Sequence, residues 1–163
     1  MIHYRKGTIA DLPQTLGLIK ELAEYENAIE QVETTVEQME ADGFGERPLF
    51  DFFVAETTDK LVGLGLYYFR YSTWKGKVLY LEDIIVTEQY RGKGIGKRMF
   101  NLMAQEAIST NCNQMMWQVL DWNGDAMKFY DTLGTKYDSE WVNCKLNRAQ
   151  IAKLATTPPQ VQS

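Results

Sequence analysis

Between residues 52 and 86 the chain abandons the hydrophobic period of a helix for that of a strand, and it returns to a helical period after residue 94. Phe52–Ala55, Leu61–Phe69 and Val78–Val86 are β-branched and aromatic runs, separated by Thr57-Thr58-Asp59-Lys60 and Trp74-Lys75-Gly76-Lys77. Runs of that composition between turn-forming residues predict a three-stranded meander. Before it, His3-Tyr4-Arg5 reads as a short strand. Thr8–Asp11 opens a helix with the stripe Leu12, Leu16, Ile19, Leu22, Ala23 that ends near Glu26, and Thr34 or Thr35 caps a second helix stopped by Gly43 and Gly45. After it come a glycine loop, a helix with Ile95, Met99, Leu102, Met103 and Ala107 on one face, and a strand at Met115–Leu120. A helix capped by Asn123 and closed by Gly134 follows, then a strand at Trp141–Leu146 and a short helix at Asn147–Leu154. The order β-α-α-β-β-β-α-β-α-β predicts an α/β fold with a mixed central sheet flanked by helices. It makes one domain over residues 1–154, with a flexible tail at 155–163.

Composition closes off several classes of function. The 163 residues, 45% apolar and 24% charged, suffice for a real core. The chain has one histidine, His3, and two cysteines, Cys112 and Cys144, so a Cys/His zinc site cannot be assembled and no metal is expected. A hydrolase built on a histidine base would have to recruit His3. No window approaches a membrane span, and Met1–Lys6 leads into Asp11 rather than an apolar signal core, so a cytoplasmic location without a membrane partner is expected. The net charge of −5 is uneven: residues 21–59 hold twelve acids against the single base Arg47, whereas Arg91, Lys93, Lys97 and Arg98 crowd one glycine cluster. One region suits a cation and the other an anion. Nucleic acid, which needs an extended positive track, is not an expected partner.

Tyr90-Arg91-Gly92-Lys93-Gly94-Ile95-Gly96-Lys97-Arg98 follows a strand and opens a helix, where free backbone N–H groups and the helix dipole favour a phosphate. A Walker loop would need glycine at Arg91 and a hydroxyl at Arg98. The dinucleotide fingerprint would need glycine at Lys97 and a place after the first strand. What remains is R-x-x-G-x-G, filled by Arg91, Gly94 and Gly96. With the strand order, this pattern resembles the GNAT family of acetyl-CoA-dependent N-acetyltransferases. Leu22–Glu26, Asp42–Gly45, Leu79–Asp83, Trp122-Asn123 and Phe129-Tyr130 extend the resemblance to the diamine (spermidine/spermine) N-acetyltransferase subfamily over residues 2–154. Tyr71–Gly76 and Leu120–Asn123 are similar to its thialysine-acetylating branch.

The resemblance implies acetyl-CoA as co-substrate, a small cationic amine as partner and a homodimer. It implies that Glu82 grips the substrate ammonium and relays its proton, and that Tyr130 protonates the departing thiolate. Ile84, Ile85 and Val86 would meet the pantetheine arm, with a backbone N–H polarising the thioester. Arg91, Gly92, Lys93, Gly94, Ile95, Gly96 and Lys97 would hold the phosphates, and Asn123, Gly124, Asp125 and Ala126 would add coenzyme contacts. Substrate contacts fall on Tyr25, Glu26, Trp74, Glu82, Asp83, Met116, Trp117 and Gln118. As neighbours on a strand, Glu82 and Asp83 are expected to point to opposite faces. Two departures concern the polyamine branch: it has histidine where this chain has Met116, and an acidic stretch before Trp141 is shortened to Asp138-Ser139-Glu140. The expected activity is direct acetyl transfer to a diamine or polyamine, with thialysine or another lysine-like amino acid second. A peptide N-terminus and a coenzyme-binding domain without turnover are further readings.

Overall fold

The computed structural model describes residues 1–156, which fall into two compact units, one of Met1–Gln118 and one that begins at Val119. The first holds β1 (His3–Lys6), α1 (Leu12–Tyr25), α2 (Val36–Phe44), β2 (Asp51–Glu56), β3 (Leu61–Ser72), β4 (Gly76–Val86), α3 (Ile95–Ser109) and β5 (Gln114–Met116). The second holds α4 (Gly124–Asp131) and α5 (Arg148–Thr156). The strands form one sheet in the order β1-β2-β3-β4-β5, antiparallel except for the parallel pair β4·β5. The mixed α/β sheet expected from the alternating periods is the one observed. No helix among the described residues is long and apolar enough to cross a membrane.

Period-2 alternation sorts the sheet's side chains between two helical layers. Leu64 and Leu66 of β3, Phe52 and Val54 of β2 and Ile85 of β4 pack with Leu12, Leu16 and Leu18 of α1 and Met39 of α2. Each of these aliphatic side chains, fully buried, contributes roughly 2 kcal/mol. Gly63 and Gly65 lie under α3 on the opposite face. A Cβ at Gly63 would stand 3.4 Å from Ile95 Cγ2, and one at Gly65 3.1 Å from Met103 Sδ, so α3 sits close against the backbone there. Ile95, Met99, Phe100, Met103 and Ala107 are the buried stripe of that helix.

The ends of these elements follow from local chemistry. Thr35 is the cap of α2: its hydroxyl accepts from Gln38 N at 3.2 Å while Gln38 Oε1 accepts from Thr35 N at 3.1 Å. The turn into α1 is held by Arg5, which donates to both Asp11 oxygens at 2.7 and 2.8 Å and to Glu56 at 2.6 and 3.1 Å. The guanidinium, with the Thr8 donors, holds the Asp11 carboxyl down to about 2, against the opposing effect of burial.

Two expectations are corrected. The strand expected at Trp141–Leu146 is not formed: Trp141, Val142 and Leu146 are exposed. An alternating pattern is only a propensity, and a strand forms only where a neighbour takes its backbone hydrogen bonds. β5 is also shorter than Met115–Leu120, because its pairing with β4 covers only Val78–Tyr80. Of the expected tail, Ala155 and Thr156 belong to α5; residues 157–163 lie outside the described residues.

Candidate functional site

The register of β3 on β4 contains a bulge at the acidic pair. Tyr68 faces Tyr80 and Tyr67 faces Leu81, but Leu66 faces Asp83, so Glu82 is an extra residue without a partner. Leu64 and its partner Ile85 lie on the α1 side, as does Leu66. Asp83, opposite Leu66, therefore turns toward α1, and so does Tyr80, three residues earlier. The inserted residue resets the alternation, which corrects the expectation that Glu82 and Asp83 point apart. The electrostatics agree. Burial, then the nearby charges of Glu82 and Glu26, raises the Asp83 carboxyl to about 6. Burial also raises Glu26. The phenols of Tyr68 and Tyr80 are raised by burial and next by Glu82. Glu26, Glu82 and Asp83 are thus one negatively charged cluster beside a tyrosine pair whose rings lie 5.2 Å apart.

The end of α1 is tied to the segment that follows β4. Thr87, just past β4, donates to both Glu21 oxygens at 2.8 and 2.9 Å, and the Arg91 guanidinium lies over the Tyr25 ring at 5.3 Å. Tyr25 is exposed and Glu26 is the C-cap of α1.

β5 leaves β4 after Tyr80, so among the described residues the run Leu81–Val86 has no strand partner on that side. Alternate residues of the run direct N–H and C=O groups outward, as a site for an extended ligand arm requires. The Val86 carbonyl accepts from Arg91 Nε at 2.9 Å, turning the chain into the loop. Gly92 and Gly94 have φ of +71° and +78°, which favours glycine even though a Cβ at either would meet nothing within 4 Å. Gly94 caps α3, and Arg98 N donates to Gly94 O at 3.0 Å. The N–H groups of Ile95, Gly96 and Lys97 therefore have no acceptor within the helix. With Arg91, Lys93 and Lys97 exposed around them, they fit a pyrophosphate. Lys93 Nζ donates to Gln89 O at 3.0 Å, whereas Arg98 is directed to Asn101 at 2.7 Å.

The other expected residues are placed as follows. Ile84 and Val86 are partly buried and Ile85 is core. Met116 pairs with Tyr80, Trp117 meets the Phe100 ring edge-on at 5.0 Å, and Gln118 is exposed. Trp74 lies exposed on the β3–β4 turn, and the six steps from Gly76 to Glu82 span roughly 20 Å of strand, so this chain does not bring Trp74 to its own carboxylates. In the second unit Asn123 Oδ1 accepts from Ala126 N at 3.2 Å, capping α4 as expected. Gly124 and Asp125 form the first turn, with Asp125 Oδ1 3.5 Å from Lys128 Nζ, and Tyr130 is buried on α4 with its ring 5.6 Å from Phe129. Sequence reasoning missed Tyr68, Arg70 and Tyr80. The two-residue spacing of Tyr68 and Arg70 put that pair on one face, but only the register puts Tyr80 and Glu82 beside it.

The chain matches the Acetyltransferase (GNAT) family over residues 17–135. It is similar to a thialysine N-epsilon-acetyltransferase of Sus scrofa, 44% identical over 93% of this chain and 95% of the relative. It is 39% identical to spermidine/spermine N(1)-acetyltransferase-like protein 1 of Homo sapiens over 93% of its own length and 23% of that protein's. An integron cassette protein from the mobile metagenome of V. cholerae has the same fold, with a TM-score of 0.77 at 23% identity over 96% of this chain and 98% of the other.

Proposed function

The chain belongs to the GNAT family of acetyltransferases, and we propose that it moves an acetyl group from acetyl-CoA to a primary amine of a small diamine or polyamine by direct attack in a ternary complex. The observation that carries this reading is the bulge at Glu82, which gathers three carboxylates beside the unpaired edge of β4.

An amine attacks only as its free base, and a polycationic acceptor must be held while it loses a proton. Asp83 and Glu26 supply negative charge for the cationic groups, and Glu82, exposed at the bulge, accepts the ammonium proton through water. Acetyl-CoA, when bound, supplies the acetyl group as a thioester. The open N–H groups of Ile95, Gly96 and Lys97, with Arg91 and Lys93, suit its pyrophosphate. The outward backbone of Ile84–Val86 suits its pantetheine amides and polarises the thioester oxygen. By the family resemblance Asn123–Ala126 add coenzyme contacts, Tyr130 donates the proton the thiolate takes, and Tyr25, Met116, Trp117 and Gln118 line the acceptor's path. A homodimer and a cytoplasmic location belong to the same reading. Sedimentation of the purified protein tests the first.

The relative from Sus scrofa supports a second acceptor, thialysine, which also carries two ammonium groups, together with a carboxylate. The test is thiol release from acetyl-CoA with putrescine, spermidine, spermine, thialysine, lysine and a basic peptide. Turnover of the small amines is expected. Turnover of the peptide alone, or coenzyme binding without turnover of any acceptor, overturns the proposal.

A further inference from the structure

Arg70 is a cation on the sheet face that carries Asp83 of the acidic cluster. It faces Val78 across the β3–β4 ladder, and it lies two residues from Tyr68, whose partner is Tyr80. With period 2, its side chain shares the face that carries Tyr68, Tyr80 and Asp83. The guanidinium lies 5.8 Å from the centre of the Tyr80 ring, and it favours the ionised form of both phenols, opposing Glu82. Arg70 is exposed, and among the described residues no carboxylate lies within ion-pair distance of it. Two other cations on the sheet are held by carboxylates: Arg5 by Asp11 and Glu56, and Lys6 by Glu106.

We infer that Arg70 is a specificity-determining residue that receives the carboxylate of an amino-acid acceptor, so that the cleft selects a lysine-length amino acid over the diamine of the same length. This inference rests on the acetyl transfer to small amines proposed above and decides between its two acceptors, placing the amino acid ahead of the diamine. For a diamine or polyamine, a positive charge on the cleft wall is repulsive. For an amino acid the same charge is matched, since a planar guanidinium takes a carboxylate through two parallel hydrogen bonds. The lengths agree. The guanidinium stands over Tyr80, two residues along β4 from Glu82, which places it on the order of 10 Å from that carboxylate. A lysine-length chain runs at most about 8 Å from terminal nitrogen to carboxyl carbon, so with a hydrogen bond of about 3 Å at each end a partly folded acceptor spans that separation. The guanidinium is 5.8 Å from the Tyr80 ring centre, within cation–π reach.

The experiment uses a matched pair: thialysine and bis(2-aminoethyl) sulfide, which is thialysine with hydrogen in place of the carboxylate. Thiol release and calorimetric binding are measured with both for the full chain and for Arg70→Gln and Arg70→Lys. Acetyl-CoA binding serves as the check on folding. The full chain is expected to prefer thialysine. Arg70→Gln should lower its kcat/KM roughly 10- to 100-fold, through KM with kcat nearly kept, while the diamine is unchanged or improved. Arg70→Lys should fall between. An equal effect on both compounds, no effect on either, or no preference by the unsubstituted chain overturns the inference. Binding without turnover of either compound refutes the proposed function instead, and the role of Arg70 is then decided by whether the binding preference for the carboxylate disappears in Arg70→Gln.

Discussion

Replacing Asp83 by Asn should stabilise this protein at neutral pH and change how its stability depends on pH. In the folded state burial, reinforced by Glu82 and Glu26, holds the Asp83 carboxyl at about 6, against about 4 in an unfolded chain. The native state therefore binds this proton more tightly than the unfolded state does. The resulting stability is fully present below pH 4 and is lost as the pH rises through about 6. Two pKa steps correspond to about 3 kcal/mol, an upper figure because Asp83 is only partly buried and water screens the pair charges. Asn is nearly isosteric and carries no charge. Urea denaturation of both proteins from pH 4.5 to 8 should give curves that converge at the acid end and separate by about 2–3 kcal/mol above pH 7, the variant being more stable. Parallel curves, or a variant less stable at every pH, would refute the assignment of Asp83 to a repulsive carboxylate cluster. The same variant should bind a dicationic amine more weakly, because the charge that opposes folding is the one that attracts the ligand.

Tyr130→Phe keeps the packing of α4 and should lower turnover roughly 10²-fold while acetyl-CoA binding, measured by calorimetry, changes little; unchanged turnover removes Tyr130 from the chemistry. Gly94→Ala forces a side chain into a φ of +78° and should cost about 1–2 kcal/mol, with a loss of acetyl-CoA affinity larger than that of the exposed Lys93→Ala. Glu26→Gln should raise KM for cationic acceptors and spare the coenzyme; an equal loss of both in steady-state kinetics would indicate misfolding. Asp11→Ala leaves the Arg5 guanidinium with Glu56 alone and should cost about 2 kcal/mol in denaturant midpoint. In the unsubstituted protein that contribution falls away as the pH drops from about 4 to about 2.

The helices and the antiparallel meander were legible because the core writes its own pattern: Leu12 and Leu16 for α1, Ile95, Met99 and Met103 for α3, and continuous β-branched and aromatic runs along β2 and β3. Thr35 and Asn123 were legible as caps because a side-chain oxygen ahead of a helical stripe has a direct use. The glycine loop was legible because positive φ at Gly92 and Gly94 leaves few alternatives. The bulge was not. Glu82 and Asp83 sit in an unbroken strand pattern, and nothing in Leu81–Ile84 announces that one residue has lost its partner; only the register against Leu66 and Tyr67 does. For the same reason Tyr68, Arg70 and Tyr80 read as ordinary strand residues. The strand expected at Trp141–Leu146 failed in the opposite sense: its alternation is real, but pairing depends on a neighbour that no local pattern specifies.

The central claim is that the Glu26–Glu82–Asp83 cluster selects amines bearing a second positive charge. The most direct measurement is kcat/KM for acetyl transfer to the small dicationic acceptors, compared with n-butylamine, which has one amine and no second charge. The account predicts that the better dicationic acceptors exceed n-butylamine by roughly 10-fold or more, and that raising the salt concentration narrows the gap. Equal rates with n-butylamine, unaffected by salt, would contradict it.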